Sequence, residues 1–95
     1  MIKVFIEQDC QPGKEVQFKD ILIEMRNMAM RQRGYISGET LRELINPSHF
    51  RIASTWSTLE DWKTWHESPQ RLLIDEMIES ITINGRKIYI FTVDR

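Results

Sequence analysis

The chain has 95 residues, which is enough for one domain (residues 1–95) and too few for two. Its 41% hydrophobic and 28% charged residues predict a folded domain, and its net charge of −1 comes without a basic cluster that could follow a phosphate backbone. With no apolar run near the roughly 20 residues of a membrane span and no signal peptide, we expect a cytoplasmic protein that binds neither nucleic acid nor membrane.

The first half of the chain predicts a strand, a helix and a second strand. Residues 2–9 alternate between apolar and other side chains, as a half-buried strand does. Apolar residues then recur at three- and four-residue steps over residues 14–32, which predicts a helix that stops at Gly34. Residues 35–44 predict the second strand, weakened or bulged around Gly38.

The second half predicts a hairpin and a broken helix. Residues 50–56 form the third strand, and the short turn before it favours antiparallel pairing with the second. Residues 57–60 have the spacing of a capping box, which opens a helix that runs through His66. Ser68 and the proline after it restart the helix, as an N-cap and first helical residue.

A last strand over residues 81–93, with an interruption at residues 84–85, completes a β-α-β-β-α-β order. This order is typical of a ferredoxin-like α+β fold, a four-stranded antiparallel sheet with its helices on one face. The outer strands place bulky apolar groups on both faces, so Phe5, Ile90 and their neighbours cannot all be covered by one helix layer. A second copy packed against the bare face would cover them, so we expect a homodimer.

Three segments make the sequence recognisable: residues 12–15 (PGKE), 33–42 (RGYISGETLR) and 54–69 (STWSTLEDWKTWHESP). They resemble the antibiotic biosynthesis monooxygenase (ABM) family, and the similarity runs from about residue 2 to residue 93. The resemblance implies a dimeric α+β barrel with a pocket between the helices and the sheet of each subunit. Some members oxidise phenols with molecular oxygen and no cofactor, others degrade haem, and others act on quinone- or autoinducer-like molecules.

The haem-degrading branch can be compared residue by residue. Its members pair an asparagine on the first strand with a tryptophan and with a histidine about ten residues further on. Trp65 matches the tryptophan, but the first strand contains no asparagine and Asp75 stands where the histidine would be. The comparison argues against haem degradation.

The resemblance makes Trp62 and Trp65 candidates for stacking on a flat aromatic substrate, with Met25 and Tyr35 beside them. Each has an ordinary alternative. Tryptophans and a methionine at helical spacing are typical of a core, and Tyr35 also suits packing at a turn. Trp56 is expected in the core.

His66 is the candidate catalytic base, because its charge changes near neutral pH and it adjoins the expected pocket. Its alternative is an ordinary exposed histidine at a helix end. Arg26 could bind a phenolate, although a surface salt bridge is the simpler interpretation, and His49 is expected to be solvated in a turn.

These patterns lead to one leading hypothesis and two alternatives. The leading one is a cofactor-independent monooxygenase of a small phenol- or quinol-like compound. The first alternative is a non-catalytic homodimer that binds a small hydrophobic ligand, and the second is a protein-interaction module that uses its sheet edges. Neither a cofactor nor a metal is expected, since the lone Cys10 has no cysteine partner and Glu7 and Asp9 form no recognisable ligand set.

Overall fold

The computed structural model describes residues 1–94, so Arg95, the last residue of the predicted domain, lies outside the described residues. Seven elements follow one another along the chain: β1 (Ile2–Cys10), α1 (Glu15–Ala29), β2 (Tyr35–Arg42), β3 (His49–Trp56), α2 (Leu59–His66), α3 (Pro69–Glu79) and β4 (Thr82–Thr92). The predicted fold class is confirmed, with the second helix divided in two where the Ser68 restart was expected.

The four strands form one sheet in the order β2-β3-β1-β4, and every neighbouring pair is antiparallel. β1 lies in the middle, where Val4 is opposite Ser54 of β3 on one side and Ile90 of β4 on the other. This is the split arrangement that the element order predicts, because two right-handed crossovers place the first and last strands side by side.

The core lies between the helices and one face of the sheet. Alternate residues of β1 are buried and point toward the helices, as the period of two in a strand requires. They pack with buried residues of all three helices in a single cluster, which includes Ile2, Val4, Ile6, Phe18, Leu22, Met25, Trp62, Trp65, Ile74 and Ile78.

The opposite face of the sheet is not covered by the helices. Phe5 is directly opposite Tyr89 on this face, and its ring meets the ring of Phe91 edge-on, with the centroids 5.7 Å apart. The Phe91 residue keeps 53% of its surface exposed. We call this surface, centred on Phe5, Tyr89 and Phe91, the open face.

The structure corrects the predicted place of Ile90. Because it is opposite Val4, Ile90 points to the helix side of the sheet and not to the open face. It is nevertheless 44% exposed. The reason is that β4 is an edge strand, which the helices cover only in part.

Local sequence signals place the turns and caps with small shifts. The N-cap of α2 is Thr58, whose hydroxyl accepts a hydrogen bond from the Asp61 N–H at 3.1 Å, so the cap lies one residue later than predicted. The predicted bulge in β2 lies between Tyr35 and Ser37 rather than at Gly38. β2 also ends two residues early, at Arg42.

Candidate active site

A small cavity lies between α1, the junction of α2 with α3, and the helix-side face of the sheet. It encloses about 30 Å³, which is room for about two water molecules. The apolar part of its lining includes Ile6, Leu22, Met25, Trp56, Trp62 and Trp65. Arg26, Tyr35 and Thr40 also line it and are partly exposed, so the cavity approaches solvent on this side.

The four residues predicted from the resemblance to contact a substrate all line this cavity: Met25, Tyr35, Trp62 and Trp65. Three of them are also core residues, and Trp65 is only 2% exposed. A role in substrate contact and a role in core packing therefore do not exclude each other, because the wall of the cavity is part of the core.

Tyr35 is fixed by its neighbours on the sheet. Its ring meets Trp56 edge-on at a centroid distance of 5.4 Å. Its hydroxyl lies above Gly38, where an added Cβ would be 2.6 Å from the Tyr35 oxygen. A side chain at position 38 would therefore require the Tyr35 ring to shift.

His66 is not among the residues that line the cavity. Its ring stacks on Trp62, with the centroids 4.5 Å apart and the planes 14° apart. Burial lowers the pKa of the His66 imidazole, and the positive charges of Arg71 and Arg86 lower it further. Within residues 1–94, the buried Nδ1 atom of His66 has no hydrogen-bond partner. This geometry does not support His66 as a base at the cavity wall. Its ring lies against Trp62, outside the lining of the cavity.

Arg71 is the cavity residue that the sequence analysis missed. It is the third residue of α3, its backbone N–H is capped by the Ser68 hydroxyl at 3.2 Å, and it is only 3% exposed. Its Nε donates to Asp75 Oδ1 at 2.9 Å, and Arg86 Nη1 lies 3.1 Å from the same oxygen. Burial lowers the pKa of the Arg71 guanidinium while Asp75 opposes the change, and arginine stays charged at any ordinary pH.

Two other polar residues differ from the sequence expectation. Among the described residues, Arg26 makes no salt bridge; its Nη2 instead donates to the Thr40 hydroxyl at 2.6 Å. His49 begins β3 and is partly buried rather than solvated in a turn. Its Nδ1 lies 2.7 Å from Asp9 and its Nε2 lies 3.6 Å from Glu7.

The charges at the cavity are all of one sign. The lining includes two arginines, and it contains no carboxylate and no histidine among the residues that the structure describes. Such a wall suits a flat apolar molecule and favours the anionic form of any hydroxyl held there. Within residues 1–94, no group of three or more histidine, cysteine or acidic side chains could hold a metal ion. No helix of this part is long and apolar enough to cross a membrane.

The sequence pattern of the family described as Antibiotic biosynthesis monooxygenase matches residues 1–74, which is more than half of the chain. The chain belongs to the ABM family. Among curated protein sequences, none matches it.

Solved structures agree with the ABM fold. SnoaB, a cofactor-independent oxygenase from Streptomyces nogalater, superposes with a TM-score of 0.86 at 15% identity, over 99% of this chain and 94% of that one. A conserved protein from Methanosarcina mazei gives 0.89 at 18% identity, over 95% and 89% of the two chains. An antibiotic biosynthesis monooxygenase gives 0.91 at 10% identity over the whole of both chains. Identities this low establish the fold alone.

Within the ABM family, the site departs from the haem-degrading pattern in a way that the structure explains. Asp75, which stands where those enzymes have a histidine, is engaged by Arg71 and Arg86 on one oxygen. A carboxylate held by two cations is not a free ligand for haem iron.

Proposed function

We propose that this ABM-family protein is a cofactor-independent monooxygenase of a small phenol- or quinol-like compound. The observation that carries the proposal is the cavity walled by Trp62 and Trp65, which is apolar, nearly closed and bordered by arginines. Its fold is shared with SnoaB, which is described as a cofactor-independent oxygenase. The roles of Met25, Tyr35 and the two tryptophans in holding substrate are part of this proposal.

Cofactor-independent oxidation of a phenol requires few groups from the protein. A phenol that loses its hydroxyl proton becomes an electron-rich anion that can pass electrons to oxygen directly. In the balanced reaction, one C–H carbon of the ring becomes a carbonyl, and the second oxygen atom leaves as water with the two hydrogens that the substrate gives up. The substrate supplies the electrons, and the protein contributes orientation and exclusion of water.

Substrate entry requires the cavity to widen. A cavity of roughly 150 Å³ is needed for a benzene-sized molecule, whereas this one encloses about 30 Å³. Met25 is the flexible wall residue, since methionine has three rotatable bonds and no branch. Arg26 is partly exposed at the solvent side. We propose that these two side chains of α1 move to admit the ring.

A second candidate function is a non-catalytic ABM homodimer that binds a small hydrophobic ligand. It is favoured by one observation, the absence of a histidine or carboxylate from the described lining of the cavity. Without a base at the wall, the substrate proton would have to pass to solvent through water, or the nearby arginines would have to stabilise the phenolate. His66 is then a packing partner that holds Trp62 in place.

We also propose that the protein works as a homodimer in which two open faces pack together. Phe91 and Tyr89 are exposed on this face beside Phe5, and an exposed aromatic cluster of this kind is more typical of an interface than of a monomer. The dimer would bury more than about 1,200 Å² in total.

Oxygen uptake separates the two candidate functions. Chelator-treated, flavin-free protein is supplied with 1-naphthol or anthrone in an oxygen electrode, with heat-denatured protein as the control for spontaneous oxidation. A monooxygenase consumes one O₂ per molecule of quinone formed from 1-naphthol or anthrone. Quenching of tryptophan fluorescence by these compounds, with no uptake above the control, would instead establish the non-catalytic ligand-binding function.

A further inference from the structure

Arg71 is the most deeply buried charge in the described part of the chain. Arginine is almost never buried to this degree unless its charge is paired and its donors are satisfied. The Ser68 cap and the helix geometry hold its backbone in the first turn of α3, so the side chain is brought to the cavity by α3 itself. Its burial calls for a reason.

The pairing of Arg71 is incomplete. The guanidinium carries five N–H donors, and only Nε has a partner, Asp75. Within residues 1–94, neither terminal nitrogen donates a hydrogen bond. The fully enclosed side-chain atom that lacks a partner is His66 Nδ1, so the terminal nitrogens of Arg71 border open space. Asp75 also shares its Oδ1 with Arg86, so two positive charges meet one negative charge. A net positive charge is left beside the cavity.

Arg71 is part of the cavity wall. The residue lines the cavity, and its guanidinium carbon lies 5.8 Å from the centroid of the Trp65 ring. Arg86 does not line the cavity and is more exposed. Unsatisfied donors beside an aromatic wall, with no acid in the described lining, favour an acceptor that arrives with a ligand.

We propose that the terminal amino groups of Arg71 bind an anionic oxygen of the substrate, so that the cavity selects planar aromatic compounds that carry a carboxylate or an ionised phenol. This inference rests on the proposed function and names its substrate class. A guanidinium binds a carboxylate through two parallel hydrogen bonds, which fixes the orientation of the ring as well as its charge. It also favours the phenolate over the phenol, which supplies part of what a missing base would do.

A matched pair of ligands tests the anion subsite. Binding of 4-hydroxybenzoate and of its neutral analogue 4-hydroxybenzamide is measured by calorimetry at pH 7.5. We expect the acid to bind at least tenfold more tightly to the natural protein. Arg71→Gln should abolish the difference, while Arg86→Gln, which touches the same Asp75 from outside the cavity, should keep it.

A second variant keeps the test decisive if Arg71→Gln fails to fold. Asp75→Asn preserves the shape of the acceptor and removes the negative charge that partly neutralises Arg71. It should tighten binding of the acid severalfold and leave the amide unchanged. Equal affinities for acid and amide in the natural protein, no binding of either at millimolar concentration, or an acid preference that survives Arg71→Gln would each overturn the proposal, as would an unchanged acid affinity in Asp75→Asn.

The outcomes also separate this inference from the proposed function. Anion preference that depends on Arg71, with no oxygen uptake from any phenol, would keep the subsite and remove the monooxygenase. Oxygen uptake from neutral phenols, with no preference for the acid, would keep the monooxygenase and remove the subsite.

Discussion

Trp65 is the residue whose two roles can be measured separately. It is almost fully buried and also walls the cavity, so Trp65→Ala should cost about 3–5 kcal/mol of unfolding free energy through the space that it leaves. Urea unfolding followed by circular dichroism gives the value. A loss below about 1 kcal/mol would contradict the packing described here, and Trp65→Phe should retain most of the stability.

His66 makes a prediction about pH. Burial and two nearby arginines lower the His66 pKa in the folded state, so as pH falls below the unfolded value of about 6.5 the unfolded chain takes up the proton first. The fold should therefore lose stability as the pH falls through about 6.5, and His66→Gln should remove that part of the loss. Melting temperatures of both proteins on either side of this pH test it.

Two measurements would contradict the account of His66. One is an identical pH dependence of melting in the natural protein and in His66→Gln. The other is an NMR titration in which the His66 ring gives a pKa at or above 6.5, since burial and the neighbouring arginines lower the His66 pKa.

At the scale of residues, the sequence predicts the apolar wall of the cavity and Arg26, but not Arg71. Trp62, Trp65 and Met25 were predictable because helical spacing and the family resemblance assign them to the sheet side. Arg71 was not predictable, because a periodic pattern of apolar residues assigns an arginine to the exposed side of a helix. The i,i+4 spacing of Arg71 and Asp75 was available as a signal, although such pairs are common on exposed helices.

At the scale of elements, two glycines with the same backbone conformation should respond differently to alanine. Gly13 and Gly34 both have φ of +85°, which costs an alanine about 1–2 kcal/mol. An added Cβ at Gly13 meets open space, whereas at Gly34 it would overlap the Asp61 side chain. Gly34→Ala should therefore be less stable than Gly13→Ala by a further 1–3 kcal/mol or so.

Thermal unfolding of the two glycine variants side by side provides the check. Equal losses would mean that Asp61 moves aside freely, and the close approach of the β2 entry to α2 would not be a constraint. A larger loss in Gly34→Ala would show that this turn positions α2, and with it Trp62 and Trp65, against the sheet.

The elements themselves were largely predictable, and their ends were less so. The Ser68 cap and the proline after it predicted the start of α3, because both act through local backbone geometry. The α2 cap was missed by one residue, since Ser57 and Thr58 are both capping residue types and adjacent in the sequence. Strand β2 ends at Arg42, two residues before its predicted end, because residues 43–48 form the loop to β3.

At the scale of the whole molecule, the dimer proposal predicts which apolar side chains tolerate a charge. Phe91→Asp places a carboxylate on the open face and should convert the dimer to monomer, because an unpaired charge in such an interface costs several kcal/mol. Ile23→Asp is the matched control, since Ile23 is similarly exposed, at 47%, but lies on α1. Light scattering after size-exclusion chromatography gives the masses.

A monomeric natural protein at micromolar concentration would end the dimer proposal. So would a Phe91→Asp variant that stays dimeric, because the open face would then not be the interface. Monomer formation by Ile23→Asp alone would move the interface to the helices.

Topology was predictable from the order of the elements, while the facing of individual side chains was not. A strand with apolar residues at consecutive positions, such as residues 88–91, does not reveal which of them points to the helices. Ile90 was therefore assigned to the wrong face, and the pairing with Val4 decides its place. The small volume of the cavity was also not predictable, because it depends on side-chain rotamers and not on the pattern of apolar residues in the sequence.

The most direct test of the central claim is oxygen uptake after the cavity is filled. Met25→Trp adds bulk at the cavity wall, and Met30→Trp makes the same change at the exposed end of the same helix, with circular dichroism to verify that both variants fold. If the cavity is the site of oxygenation, Met25→Trp loses at least tenfold in the rate of phenol-dependent oxygen uptake and Met30→Trp retains it. A folded Met25→Trp variant with the full rate of the natural protein would contradict the assignment.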